Sequence, residues 1–144
     1  MILADIKQDF YLNFIKDDRY MWLVDGLKTT LIITFFAAIL GIILGFIVAI
    51  IRSAHDKSGH FKILNAVCRV YLTVIRGTPT MIQLLIMNFV IFGAVSINKV
   101  IVGSLAFGIN SGAYVAEIVR SGIMSIDQGQ TEAGRSLGLN FSQT

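Results

Sequence analysis

The amino-acid sequence predicts an all-α membrane protein. Of its 144 residues, 55% are apolar and only 15% are charged, whereas soluble domains carry about 25% charged residues. The deficit is concentrated in three apolar stretches, each long enough to cross a bilayer as a helix. No basic run with interleaved aromatics is present, so no nucleic-acid partner is expected.

The first membrane helix is expected at about residues 27–51. Residues 31–51 are apolar except for Thr34, and a run of this length spans a hydrocarbon core of about 30 Å. Small residues recur every fourth position and form what we call the first stripe: Ala37, Gly41, Gly45 and Ala49. Such a stripe predicts close packing against another helix of this chain or of a partner.

A polar segment at residues 52–62 is predicted to be a loop. Residues 61–75 have apolar positions at helical spacing, which fits either an interfacial helix or the beginning of the next crossing. Because the 52–76 region carries five basic residues and one acid, this loop should be cytoplasmic. The N-terminus is then periplasmic, and residues 1–25, which mix apolar, charged and aromatic residues, are expected to form an interfacial segment.

The second helix is expected at about residues 79–97, after a break at Gly77. Thr78 is expected to cap it and Pro79 to be its first residue, where a missing N–H costs nothing. Gly77 and Pro79 flank this break and are candidate hinge residues. Asn88 is a polar member of the helix.

The third helix is expected at about residues 100–120. It carries the second stripe, again at four-residue spacing: Ser104, Gly108, Gly112 and Ala116. It also carries Asn110 and Glu117, which lipid-facing helices rarely contain. This helix should therefore lie inside a bundle or line a cavity.

Sequence patterns of enzymes are missing. There is no phosphate-binding loop, nucleophile elbow or HExxH motif. Cys68 is the only cysteine, and His55 and His60 have no neighbouring ligands, so neither a catalytic site nor a metal site nor a bound cofactor is expected. The segment at about 121–144 contains a short predicted helix, Thr131 to Leu137, that Gly138 can end in a left-handed conformation. It is either a docking element or a solvated loop.

Three stretches resemble one known family. They are GLKTTL at 26–31, RGTP at 76–79 with Gln83 and Leu84, and GAYVAEIVRSGI at 112–123, which runs into GQ at 129–130 and EAGRSLG at 132–138. In order and spacing they resemble the permease subunits of bacterial ATP-binding-cassette (ABC) importers for polar amino acids, the histidine, glutamine and glutamate group. The last stretch resembles the family's EAA motif, which contains the helix that couples the permease to its ATPase.

The resemblance implies a type I ABC importer transmembrane bundle across residues 26–144. It implies a non-catalytic subunit in the bacterial inner membrane, with ATP bound by a partner subunit. The implied partners are that ABC ATPase, a second permease subunit in a homo- or heterodimer, a periplasmic substrate-binding protein and membrane lipid. The coupling positions carried over are Glu132, Ala133, Gly134 and Gly138, with Gly134 replacing an alanine and lowering helix propensity by about 1 kcal/mol.

The family motif continues beyond Gly138, and family members usually have five crossings. The chain is therefore expected to be a C-terminally truncated permease with about three of them. A non-transporting structural or assembly protein, or an inactive fragment, is the alternative. Glu117 is expected to pair with Arg76 or Arg120, or to meet the ammonium group of a substrate; Asn88 and Asn110 are expected to line the pathway or to bridge helices.

Overall fold

The computed structural model describes residues 8–140 and 143, and helices account for most of them, with no strand in this part of the chain. Five α-helices, labelled α1 to α5, follow two short irregular helical turns. Their bounds are Tyr11–Ile15 (π-helical turn), Lys16–Asp18 (3₁₀ turn), Tyr20–Ser58 (α1), Lys62–Gly77 (α2), Thr80–Leu85 with a π-helical continuation Ile86–Ile91 (α3), Lys99–Met124 (α4) and Gln128–Ser136 (α5). The all-helical prediction is confirmed.

Two helices, α1 and α4, are each long and apolar enough to span a membrane. The second predicted crossing, residues 79–97, is wrong as a separate span, because α3 and its continuation consist of two six-residue segments. At 1.5 Å per residue they cover only about 18 Å. α2 and α3 meet the criterion for a span only as a pair, bent by 107°. The described residues thus contain two spans, or three if the bent pair is one.

α1 extends beyond its predicted bounds at both ends, so the predicted loop at residues 52–62 is wrong for most of its length. The helix continues to Ser58, and only Gly59 to Phe61 separate it from α2. Along this extension, Arg52 and Asp56 pair with oppositely charged residues on α4. Gly59 then ends α1 with φ of 70°, a conformation that favours glycine.

The predicted N-terminal interfacial segment is divided in the structure. Residues 1–7 lie outside the described residues. The helical turns at 11–18 end at Asp17 and Asp18, whose φ angles of 58° and 52° interrupt the helix. From Tyr20 onward the chain already belongs to α1, so residues 20–25 begin the first span.

The two small-residue stripes face each other, which confirms the close packing predicted from their spacing. A Cβ added to Gly45 would lie 2.6 Å from the Cβ of Val115, and one added to Gly108 would lie 3.0 Å from the Cβ of Leu40. Ordinary carbon–carbon contacts need about 3.5–4.0 Å. Glycine therefore permits the separation between α1 and α4, and the contact lies within this chain.

α2 packs across the α1–α4 pair near the end of α1. The buried apolar residues at this junction come from all three helices: Val48, Cys68, Leu72, Ala113 and Ala116. Tyr71 contributes a polar contact, because its hydroxyl donates to the carbonyl oxygen of Ile109 at 2.6 Å. This junction brings the end of α2 next to the C-terminal half of α4.

Candidate functional site

A charged cluster lies where α1, α2 and α4 meet. The carboxylate of Glu117 on α4 lies 3.1 Å from a guanidinium nitrogen of Arg52 on α1 and 3.3 Å from one of Arg76 on α2. Arg120, one turn further along α4, lies 3.8 Å away. Both arginines expected from the sequence as partners of Glu117 are thus within reach. Arg52 is the partner that the sequence analysis missed, because its position was assigned to a loop.

A second carboxylate completes this charged cluster. Asp56 on α1 accepts hydrogen bonds from two nitrogens of Arg120, at 2.6 and 3.0 Å. The guanidinium of Arg76 also lies over the ring of Tyr114, 5.8 Å from its centroid. With three arginines and two carboxylates, the cluster is net positive. Its ion pairs connect the end of α1 to α4, and they connect the end of α2 to the same part of α4.

The bend between α2 and α3 differs from its predicted geometry. Thr78 and Pro79 are both extended, and α3 begins at Thr80, so Pro79 rather than Thr78 occupies the capping position. Thr78 does not cap α3. Its hydroxyl donates instead to the carbonyl oxygen of Val74 at 2.8 Å, which satisfies the end of α2.

Gln83 lies against the inside of this bend. Its side-chain nitrogen is 2.7 Å from the carbonyl oxygen of Ile75 and 2.7 Å from the hydroxyl oxygen of Thr78. Its side-chain oxygen accepts from Asn110 of α4 at 3.1 Å. Asn110 therefore bridges helices, one of its two expected roles. Asn88 is half-buried further along α3, outside this group of contacts.

A groove of about 660 Å³ runs beside Asn110, between α1 and α4. Its polar lining consists of hydroxyls and one amide: Thr30, Thr34, Asn110, Ser111 and Tyr114. Groups of this kind donate and accept hydrogen bonds without carrying charge. The rest of the lining is apolar, so the groove is a mainly apolar surface with a few uncharged polar groups on both spans.

The terminal helix α5 begins three residues earlier than the sequence predicted. Asp127 is its N-cap, and the carboxylate accepts from the N–H of Gly129 at 2.6 Å. Gln130 follows three residues after Asp127, a spacing typical of a capping box that would have located this start. Because α5 starts at Gln128, Glu132 is its fifth residue and lies beyond the first turn.

α5 ends as the sequence predicted. Gly138 has φ of +86°, the left-handed conformation. Its N–H donates to the carbonyl of Arg135 at 3.0 Å, and the N–H of Leu139 donates to that of Gly134 at 3.2 Å. This pair of hydrogen bonds is the Schellman motif. α5 is therefore a short helix with both ends satisfied by its own residues.

The surface of α5 is mostly free. Glu132, Ala133 and Gly138 are exposed, and Gly134 is buried. Leu137, an apolar residue, is 82% exposed. α5 packs only sparsely on the other described helices. The arrangement leaves a self-capped helix with accessible apolar surface beside the charged end of α4.

Within residues 8–140 and 143, no three histidine, cysteine or acidic side chains come together as a metal site requires. Cys68 is a free, buried thiol.

Comparison with known proteins places these features in context. Residues 41–144 match the family described as binding-protein-dependent transport system inner membrane component. A putative glutamine transport system permease protein from Rickettsia prowazekii is 33% identical over 84% of this chain and 54% of its own length. An L-cystine transport system permease protein from Bacillus subtilis is 36% identical over 92% of this chain and 55% of its own.

Two further similarities extend the comparison. An arginine transport system permease protein from Corynebacterium glutamicum is 30% identical over 94% of this chain and 45% of its own length. A solved structure of an amino acid ABC transporter with histidines superimposes with a TM-score of 0.74 and 38% identity, over 92% of this chain and 59% of that one. The chain thus spans about half the length of the curated relatives it matches.

Proposed function

We propose, from the premise that this chain belongs to the family of binding-protein-dependent transport system inner membrane components, that it forms part of the translocation pathway of an ABC importer for a polar amino acid. Its relatives include permeases named for glutamine, arginine and cystine transport. The groove between α1 and α4 is mainly apolar with a few hydroxyls and one amide, and such a lining suits a small substrate that makes a few hydrogen bonds.

The single observation that carries this proposal is the form of α5. A coupling element must transmit force from a soluble ATPase, so it needs a rigid shape and an accessible surface. α5 has caps at both ends and exposes Leu137. Glu132, Ala133, Gly134 and Gly138 are the proposed coupling positions, and Gly138 supplies the left-handed residue that shapes the end of the helix.

The proposed topology places α5 in the cytoplasm. Arg52, Lys57 and Lys62 surround the short turn between α1 and α2, and basic residues of this kind favour the cytoplasmic side. The ion pairs of Arg52 and Asp56 hold the end of α4 beside that turn. α5, which follows α4, therefore lies on the same side. The proposal thus gives a multi-pass inner-membrane protein with a periplasmic N-terminus.

The proposed partners follow from this role. An ABC ATPase that binds and hydrolyses ATP docks on α5, a second permease subunit completes the pathway, and a periplasmic binding protein delivers the substrate. This chain needs no cofactor of its own and catalyses no reaction. Glu117 acts in bundle pairing, since three arginines already surround its carboxylate. Asn110, which borders the groove, is the pathway residue we favour over Asn88.

The test is co-purification of this chain with an ABC ATPase from bacterial membranes. Gly138→Val forces a β-branched residue into a left-handed conformation, and this should abolish co-purification. Gly122→Val is the control, since a Cβ at Gly122 meets nothing within 4 Å and its φ is not positive. Retention of the ATPase by the Gly138 variant, or its absence from the unaltered chain, would overturn the proposal.

A further inference from the structure

The end of α2 raises a problem of unsatisfied backbone groups. The last four carbonyls of an α-helix have no partner within the helix, and in a membrane environment each must find one inside the protein. Here the hydroxyl of Thr78 satisfies the carbonyl of Val74, and the amide of Gln83 satisfies that of Ile75. Gln83 lies beyond the bend, so its hydrogen bond connects α3 to the end of α2.

Gln83 also joins the bend to a third element. Its side-chain nitrogen donates to the carbonyl of Ile75 in α2 and to the hydroxyl of Thr78, while its side-chain oxygen accepts from Asn110 on α4. One side chain thus links three helices, using its donor and its acceptor in different directions. No apolar residue could replace it, and a carboxylate would lose the donor.

Gly77, one of the two residues expected to act as a hinge, has no comparable constraint. A Cβ added at Gly77 would meet nothing within 4 Å, and Gly77 has no positive φ. Its backbone is still part of α2. Glycine is therefore not required there by space or conformation. Pro79 interrupts the helix, since it lacks an N–H and keeps Thr78 extended, and the hydrogen bonds of Gln83 connect the two sides of this break.

We infer that Gln83 is a positioning residue that holds the 107° bend closed and fastens it to α4 through Asn110, so that α2, the bend and α3 follow α4 as one unit. The inference deepens the proposed function and rests on it for its consequence in transport. In that setting, movement of the inner end of α4 reaches α3 through Gln83, and the bend does not flex as a free hinge.

The geometric part can be tested on the chain alone, by pulsed electron spin resonance in lipid nanodiscs. All variants carry Cys68→Ala, so that only introduced cysteines are labelled. One label pair, at Val70 and Phe89, reports across the bend; a second, at Phe89 and Ile101, reports between α3 and α4. All three positions are exposed. The unaltered side chains should give narrow distance distributions for both pairs.

The variants separate the two halves of the contact. Gln83→Leu should broaden both distributions, with the open population rising about fivefold for each hydrogen bond lost. Asn110→Leu should broaden only the α3–α4 distribution. Asn88→Leu removes a half-buried amide of the same helix outside the contact and should leave both distances unchanged. Two narrow distributions in Gln83→Leu, or equal broadening in Asn88→Leu, would overturn the inference.

The consequence for transport is measured separately in the assembled importer. Gln83→Leu should lower uptake at least tenfold while ATP hydrolysis by the partner continues, because α3 no longer follows α4. If the unaltered chain supports no uptake, the proposed function fails while the distance measurements still decide the role of Gln83. If uptake by Gln83→Leu is normal although its bend is loosened, the transmission role of Gln83 is refuted.

Discussion

The packing of α1 on α4 gives a prediction with a matched control. In Gly45→Ala the new Cβ would lie 2.5 Å from a methyl carbon of Val115 and 3.1 Å from the backbone nitrogen of Ala116. The two helices must then separate by about 1 Å to restore ordinary contact distances. Overpacking of this kind costs about 1–3 kcal/mol. Gly26→Ala, also in α1, meets nothing within 4 Å.

Both substitutions gain the same helix propensity, about 1 kcal/mol, so their difference isolates the overpacking. Cys68, the only cysteine, is 7% exposed, and its reaction with a fluorogenic maleimide during heating reports unfolding. A stability difference of 1 kcal/mol shifts the thermal unfolding midpoint by about 3 °C in a chain of this size. The midpoint of Gly45→Ala should therefore lie about 3–9 °C below that of Gly26→Ala. Equal midpoints would refute the close approach of the two stripes.

Four further substitutions can be compared in the same thiol assay. Glu117→Gln leaves the guanidinium of Arg52, 16% exposed, without a carboxylate partner. It should lower the free energy of unfolding by about 2 kcal/mol, which is more than Asp56→Asn should. An equal loss of stability in the two variants would argue against a central role of Glu117. Asn98→Ala removes the side chain that accepts a hydrogen bond from an N–H at the start of α4. This should lower the free energy of unfolding by about 1 kcal/mol. An unchanged thermal midpoint would contradict the capping role of Asn98. Gly77→Ala should shift the thermal midpoint by less than about 2 °C. A much larger decrease would show that glycine is required at this position of the bend.

The sequence predicted the features that depend on local spacing. The two stripes were visible because every fourth residue of a helix lies on one face, and Gly138 was identified because a left-handed helix end favours glycine. The membrane spans followed from length and apolarity. These predictions needed no knowledge of which helices are neighbours, and the structure confirms the stripes, the left-handed Gly138 and the first and third spans.

Features that depend on contacts between helices were not visible in the sequence. Arg52 and Asp56 lie in a polar run that is typical of a loop, and their partners Glu117 and Arg120 are contributed by α4, far away in the sequence. The role of Gln83 depends on a bend whose angle no local pattern gives. The start of α5 is different, because a local pattern, Asp127 followed three residues later by Gln130, indicates it.

The proposal that α5 couples this chain to an ATPase can be tested most directly by site-specific photocrosslinking in bacterial membranes. A photoreactive amino acid at Leu137 on α5, 82% exposed, is compared with one at Val90 on α3, 74% exposed. The account predicts that Leu137 crosslinks to an ABC ATPase and that Val90 does not. Crosslinking of the ATPase from Val90 alone, or from neither position, would contradict it.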